Sequence, residues 1–157
     1  MRNLWIHITI GLVATAIGAI AADNSQGTWK LNMEKSKFSP STPVKSLTTT
    51  REATDGGIKV TTTGERAGAT DNASINSSYV AKYDGSESPV TGAPYDTISI
   101  KLVNANTLTF SAKKKDGKYS VTGRSVVSKD GKTMTHTIKG TNTDGKPYTA
   151  TMVWDKQ

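Results

Sequence analysis

A single histidine stands in the middle of a segment that has the pattern of a β-strand. In residues 132–140, KTMTHTIKG, the side chains of Met134, His136 and Ile138 share one face, and threonines occupy the other. An imidazole can act as a general acid or base, ligate a haem iron, or form hydrogen bonds. Three hypotheses for His136 are therefore open: a neutral side chain hydrogen-bonded inside the protein, a polar contact for a bound molecule, and catalysis or haem ligation.

Arg51 is a second candidate on a predicted apolar face. It follows Leu47 and Thr49 at alternating positions, so one face of the same strand carries all three. A buried guanidinium needs a partner, and the carboxylate or phosphate of an anionic ligand would supply one. The alternative is that the strand twists outward at Arg51 and leaves the guanidinium in solvent.

Aromatic residues on the predicted inward faces complete the candidate site. An apolar pocket with a few directed polar groups is typical of small-molecule sites, and small residues such as Ala112 and Gly123 would leave room for a ligand. The alternative is a filled core, with the tyrosines at the rims and their hydroxyls in water. The predicted ligand-binding residues are His136, Arg51, Tyr79, Tyr83, Tyr119, Tyr148 and Trp29.

The composition excludes several classes of site. The chain has no cysteine and two histidines, of which His7 lies in the N-terminal apolar segment. Thiolate metal sites, redox pairs, cysteine nucleophiles and multi-histidine zinc or iron sites within a monomer are therefore excluded. We predict no catalytic residue, no metal and no cofactor. General acid–base work by His136 with Tyr79 or Tyr148 stays open as an alternative.

The N-terminus has the pattern of a secretory signal peptide. Arg2 precedes an apolar run over residues 4–22, and Ala19 and Ala21 form an A-x-A cleavage pattern. We predict a signal peptide over residues 1–21 and one domain over residues 22–157, periplasmic or secreted and away from the membrane after cleavage. An uncleaved membrane anchor is the alternative.

The positive charge is dispersed rather than concentrated. The net charge is +7, and the lysines cluster at one place, the turn KKKDGK at residues 113–118. Few aromatic residues interleave with these lysines, so base stacking is not supported, and the cluster is typical of a solvated hairpin tip. We predict a monomer with no nucleic-acid partner.

Alternating segments separated by turn signals predict the elements that position these residues. Nine segments after residue 26 alternate between an apolar face and a face of Thr, Ser and Lys, and none has a helical stripe. Asp-Gly pairs between such segments are typical of tight hairpins. These pairs begin at Asp55, Asp84, Asp116, Asp130 and Asp144.

The pattern predicts an all-β protein: an antiparallel up-and-down meander that closes into a β-barrel of about 8–10 strands. A sandwich is the alternative, but closure hides the inner face and removes exposed edges. Trp29 and Trp154 on the terminal strands suit two ends that pair with each other. Residues 35–43, KSKFSPSTP, contain two prolines and are predicted to be a non-strand segment that covers one mouth with Phe38.

The first predicted strand carries a resemblance to known barrels. Residues 27–38, GTWKLNMEKSKF, resemble the opening of lipocalin-like and fatty-acid-binding-like (calycin) barrels, in which a G-x-W tryptophan plugs the base. Residues 27–32 and 127–134 also resemble segments of small exported bacterial proteins. The last strand, PYTATMVWDK, lacks the arginine that lipocalins place over that tryptophan, and the Arg-x-Tyr carboxylate motif of fatty-acid-binding proteins is absent. The resemblance therefore implies the architecture and not the fatty-acid site.

These observations lead to one functional hypothesis and two alternatives. The hypothesis is an exported, non-enzymatic, disulfide-free barrel that binds a small apolar or amphipathic molecule inside. The first alternative is a filled-core structural or interaction module that acts through its outer surface. The second is a barrel enzyme of cyclase or isomerase type that uses His136.

Overall fold

Ten antiparallel strands make up the fold. The computed structural model describes residues 22–41, 44–68 and 74–157, and the predicted signal peptide, residues 1–21, lies outside the described residues. The strands are β1 (Gly27–Ser39), β2 (Val44–Thr54), β3 (Gly57–Arg66), β4 (Ser74–Lys82), β5 (Asp84–Thr91), β6 (Thr97–Asn104), β7 (Thr107–Lys113), β8 (Ser120–Val127), β9 (Thr133–Thr141) and β10 (Pro147–Lys156). Within these ranges no helix is long and apolar enough to cross a membrane.

The strands form a closed barrel in which each pairs with its neighbour in sequence and β1 pairs with β10. Leu31 lies opposite Trp154 across the β1–β10 seam, and Trp29 lies opposite Thr49 of β2. The predicted all-β, up-and-down barrel is confirmed, as is the pairing of its two terminal strands. Because the barrel is closed, the apolar faces of the alternating strands are buried in its interior.

The tenth strand, β5, was not among the nine predicted segments. Its sequence, DGSESPVT, has little apolar alternation and contains Pro89, so the pattern does not predict a strand there. The pair Asp84-Gly85 predicts a hairpin turn. In the structure Asp84 and Gly85 begin β5, which pairs mainly with β6 and meets β4 at two residue pairs. A proline is accepted here because it lies on a sparsely paired part of the sheet.

Strand β1 corrects two further predictions. Residues 35–39 belong to β1, because a bulge between Asn32 and Lys37 lets the strand resume pairing with β10. The Ser36 hydroxyl stabilises the bulge by accepting from the Val153 amide at 2.9 Å and donating to the Asn32 carbonyl at 2.6 Å. Alternation from Trp29 and Leu31 predicts that Met33 faces inward, but the bulge turns it toward solvent with 37% of its surface exposed.

The two ends of the barrel differ in how they are built. At the end that we call the base, residues 22–26 pass beneath the barrel, where the Asn24 amide donates to the Ala105 carbonyl at 2.8 Å. Gly56 and Gly131 lie in tight turns of the base. Their φ angles of 66° and 70° are positive, a range that glycine adopts without a steric clash. The opposite end, which we call the upper end, carries the loops after β1, β3, β5, β7 and β9.

The apolar core is divided into two clusters. One cluster lies mainly on β3, β6, β7 and β8 and includes Ile58, Ile100 and Leu108. The other joins β1, β2 and the last three strands around Trp29 and Trp154. Because the two clusters stay separate, the barrel interior between them is not filled.

Candidate ligand-binding site

An internal cavity of about 280 Å³ occupies the space between the two core clusters. Its wall combines aliphatic side chains such as Val60, Ile98 and Leu108 with a few polar groups. Ala112, predicted to leave space, lines the cavity. Gly123 does not open space in the same way, because a Cβ at that position would lie 2.3 Å from Cζ of Phe110, so the Phe110 ring already fills it.

The floor of the cavity is a buried polar network around Arg51. The Arg51 Nε donates to the Ser25 hydroxyl at 3.1 Å, and that hydroxyl donates to the Asp23 carboxylate at 2.9 Å. Tyr83 donates its hydroxyl to the same carboxylate. Asp23 and Arg51 are 7% and 5% exposed, so the charge of each is balanced inside the protein through Ser25.

Trp29 closes the base beneath this network. Its side chain is fully buried, and its Nε1 donates to the Ser25 carbonyl at 2.8 Å. The Lys156 ammonium lies 5.0 Å from the indole centroid on the other side. The indole therefore ties residues 22–26 to β1 and β10, which matches the role that the sequence resemblance implied for it.

Tyr79 lies beside Arg51 on the cavity wall because Arg51, Val60 and Tyr79 pair in one row across β2, β3 and β4. Burial raises the pKa of the Tyr79 phenol, and the neighbouring Arg51 opposes that shift without cancelling it. Burial and the Asp23 carboxylate raise the pKa of Tyr83 as well. Both phenols stay neutral at physiological pH and serve as hydrogen-bonding groups.

Three aromatic side chains border the cavity toward the upper end. Tyr95 and Tyr119 stack with their ring centroids 5.5 Å apart, and Tyr148 lies near them. Burial raises the pKa of Tyr119 to about 12, and burial also raises that of Tyr95. The sequence analysis missed Tyr95 because it lies in the loop before β6, outside any alternating segment.

His136 lies on the wall formed by the last three strands. It pairs with Ser125 of β8 and Met152 of β10, and its ring packs against Trp154 at a centroid distance of 5.6 Å. Burial, and secondarily the charge of Arg51, lower the pKa of His136 from 6.5 to about 3. The imidazole is therefore neutral, and its buried Nε2 has no hydrogen-bond partner in the described part of the protein.

We expect this neutral imidazole to make the protein less stable in acid. The unfolded chain binds a proton near pH 6.5, so the stability that His136 contributes is complete above that pH and is lost as the pH falls toward about 3. His136→Leu should flatten the pH dependence by up to about 1.4 kcal/mol per pH unit in this window. At pH 7 it should be neutral or stabilising, since Nε2 has no partner to lose.

Urea unfolding of both proteins at pH 7 and pH 4.5 measures the two effects. An unchanged slope between these values would contradict a buried neutral imidazole. A loss of several kcal/mol at pH 7 would show instead that His136 anchors an internal network.

The structure brings together five of the seven predicted site residues. Arg51, Tyr79, His136, Tyr119 and Tyr148 line the cavity. Trp29 and Tyr83 lie beneath it, within the base. For all seven residues, a role in ligand binding stays a prediction.

Four further polar residues of the site were not in the predicted set. Asp23 and Ser25 lie before the first strand, where alternation gives no signal. Ser125 and Trp154 line the wall beside His136. No group of three or more His, Cys, Asp or Glu side chains in residues 22–41, 44–68 and 74–157 is placed to hold a metal ion.

A second hollow, of about 760 Å³, lies on the outer face of β6 to β9. It is larger than the internal cavity, and outward residues including Lys101, Arg124 and Lys139 line it. These three side chains are exposed, so their charges stay hydrated. The internal cavity is the stronger candidate because buried polar groups such as Arg51 and Ser125 line it inside the barrel.

The fold and the cavity together define a closed, ten-stranded antiparallel β-barrel with a hollow interior. The solved structure of zebrafish ileal bile acid-binding protein complexed with cholic acid is similar to it, with a TM-score of 0.50 and 11% sequence identity. The match covers 86% of this chain and 100% of that chain. No protein-family profile and no curated protein matches the sequence.

Proposed function

We propose that this protein binds one small, largely apolar molecule with an acidic group inside the barrel. The observation that carries the proposal is the internal cavity of about 280 Å³, just below the ~300–1,000 Å³ range of small-molecule sites. The filled-core alternative is not favoured, because the two apolar clusters leave this volume between them. The similar zebrafish protein is complexed with cholic acid, which supports the binding of a small acid by this barrel.

The charges of the cavity wall favour an anionic ligand. The charged side chains among the described lining residues are Arg51 at the floor and Arg66 at the upper end, and both are positive. Arg51 uses its Nε for Ser25 and keeps the rest of the guanidinium near the cavity and Tyr79. We propose that the acidic group of the ligand contacts Arg51, where a charge-assisted hydrogen bond is strengthened by burial.

Titration properties favour binding over catalysis. A general acid or base works best with a pKa near the operating pH. The pKa of His136 is lowered to about 3, and the pKa values of Tyr79, Tyr95 and Tyr119 are raised. These groups are set to form hydrogen bonds in one protonation state.

We propose in addition that the protein is exported and acts in the periplasm or outside the cell. The support is the sequence pattern of residues 1–21. N-terminal sequencing of the protein from its own host should begin at Ala22. A sequence that begins at Met1 would contradict cleavage.

A cavity-filling substitution tests the binding site. Ala112→Phe places a ring in the cavity, and we expect it to abolish uptake of decanoic acid and of the fluorophore 1-anilinonaphthalene-8-sulfonate. Overpacking should cost about 1–3 kcal/mol of stability, so the barrel should remain folded by circular dichroism. Ser111→Phe adds the same ring on the opposite, exposed face of β7 and should bind both probes as the wild type does.

Two results would contradict the proposal. The first is that the folded wild-type protein takes up neither probe. The second is that Ala112→Phe keeps the wild-type affinity while Ser111→Phe, whose ring would enter the outer hollow, loses it, which would move binding to that hollow.

A further inference from the structure

Three polar atoms on one wall of the cavity are buried without a partner. They are the Ser125 Oγ, the His136 Nε2 and the Trp154 Nε1, and they are the unpartnered buried side-chain atoms found in the described residues. Ser125 and Trp154 are each 3% exposed. All three side chains belong to residues that line the cavity, so their unused hydrogen-bonding capacity lies on the wall of the space that a ligand would occupy.

The three residues form one continuous patch. Ser125 and His136 are directly paired across β8 and β9, and the rings of His136 and Trp154 are 5.6 Å apart across β9 and β10. We call Ser125, His136 and Trp154 the polar patch. Arg51 is not part of the patch, because it lies on β2 and is joined to the network of the base, but it is near enough for its charge to lower the pKa of His136.

Two other buried polar groups on the cavity wall do have partners within the protein. The Thr62 hydroxyl donates to Thr49 at 3.1 Å, and the Arg51 Nε donates to Ser25. An unpaired buried donor or acceptor costs about 1–3 kcal/mol, and native proteins have few of them. Three such atoms on neighbouring residues of one cavity wall are typical of a site that receives its partners from a ligand.

The chemistry of the patch selects an uncharged oxygen. The Trp154 indole is a donor, the Ser125 hydroxyl both donates and accepts, and a neutral imidazole has one donor and one acceptor nitrogen. A carbonyl oxygen can accept from Trp154 and Ser125. A hydroxyl can do the same and can also donate to His136. An anion is less well suited, because nothing in the patch carries a positive charge.

We propose that Ser125, His136 and Trp154 form a second subsite, which binds a hydroxyl or carbonyl oxygen on the body of the ligand, away from its acidic end. This inference rests on the proposed function and narrows it. The ligand class becomes oxygenated amphipathic acids, hydroxy or oxo, in place of plain alkyl acids. The acid contacts Arg51 and the second oxygen contacts the polar patch.

A probe series tests the subsite without knowledge of the natural ligand. Decanoic acid is compared by calorimetry with decanoic acids that carry one hydroxyl or one ketone at successive carbons along the chain. We expect at least one position to bind about three- to tenfold more tightly than decanoic acid, the gain of about one hydrogen bond. If the hydroxy acid binds more tightly than the keto acid at that position, the ligand hydroxyl donates to His136. If the two acids bind equally, the ligand oxygen only accepts hydrogen bonds from the patch.

The matched variants are Ser125→Ala and Ser120→Ala on the same strand. Ser125→Ala should remove most of the gain from the added oxygen, so that its affinity for the oxygenated acid divided by its affinity for decanoic acid falls toward one. Its thermal midpoint without ligand should not fall, because the removed hydroxyl has no partner. Ser120 is exposed, and Ser120→Ala should behave as the wild type in every assay.

Three outcomes would overturn the subsite. If decanoic acid binds and no oxygenated derivative binds more tightly, the subsite is wrong while the proposed function stands. If no member of the series binds, both are wrong. If the midpoint of Ser125→Ala falls by as much as that of a variant that breaks the Thr62–Thr49 pair, the hydroxyl has a structural role and is not reserved for a ligand.

Discussion

Replacing Trp29 with alanine should lower the free energy of unfolding by about 3–5 kcal/mol, the largest single effect expected in the barrel. The indole is fully buried. The substitution also removes the hydrogen-bond donor to the Ser25 carbonyl and the aromatic ring that the Lys156 ammonium contacts. Residues 22–26 would lose their attachment to the base. Urea unfolding with an unchanged m-value measures the loss.

Two controls separate the contributions of Trp29. Trp29→Phe keeps an aromatic ring and leaves the Ser25 carbonyl without its donor, so we expect a loss of about 1–3 kcal/mol. Val103→Ala changes a side chain that is 55% exposed and should stay within about 0.5 kcal/mol of the wild type. A loss below about 1 kcal/mol for Trp29→Ala would contradict the assignment of this residue as the plug of the base.

Replacing Asp23 with alanine should cost about 3 kcal/mol, because it leaves the buried Arg51 without a counter-charge. The carboxylate accepts from the Ser25 amide at 2.8 Å, from the Ser25 hydroxyl and from Tyr83, so three donors lose their acceptor together. Differential scanning calorimetry at pH 7 measures the fall in midpoint.

A double variant tests the charge argument. Asp23→Asn with Arg51→Met removes both charges and keeps the approximate volumes, so it should recover much of the stability that Asp23→Ala loses. Recovery identifies the uncompensated guanidinium as the cause. If the double variant is as unstable as the sum of its single variants, the two residues are not coupled through Ser25 and the description of the floor is wrong.

The barrel could be predicted from sequence because most of its strands have one polar face in solvent and one apolar face in the interior. Segments such as the one around His136 alternate without interruption, and Asp130-Gly131 and Asp144-Gly145 mark the turns on either side of β9. The tryptophans of β1 and β10 indicated that these strands close the ring, and they pair as expected.

The parts that could not be predicted are those where tertiary contacts override the local pattern. β5 contains Pro89 and mostly polar residues, and it is a strand because β6 offers it a free edge. Met33 follows the inward parity of Trp29 and Leu31, but the bulge held by Ser36 turns it outward. Neither pairing leaves a signal within a short window of sequence.

The candidate site shows the same division. Parity placed Arg51, Tyr79 and His136 inside, and the structure has them on the cavity wall. Parity could not show that Asp23 and Ser25 fold beneath the barrel and balance the charge of Arg51. The distinction between paired and unpaired polar groups, which singles out Ser125 and Trp154, depends on distances across strands that are far apart in sequence.

The central claim, a hollow barrel that carries a small molecule, is tested most directly by native mass spectrometry of the protein purified from its own host. We expect a mass above that of the polypeptide, with the excess lost on denaturation and released as an acid with a further hydroxyl or carbonyl oxygen. A bare mass, together with no uptake of decanoic acid by the folded protein, would contradict the claim.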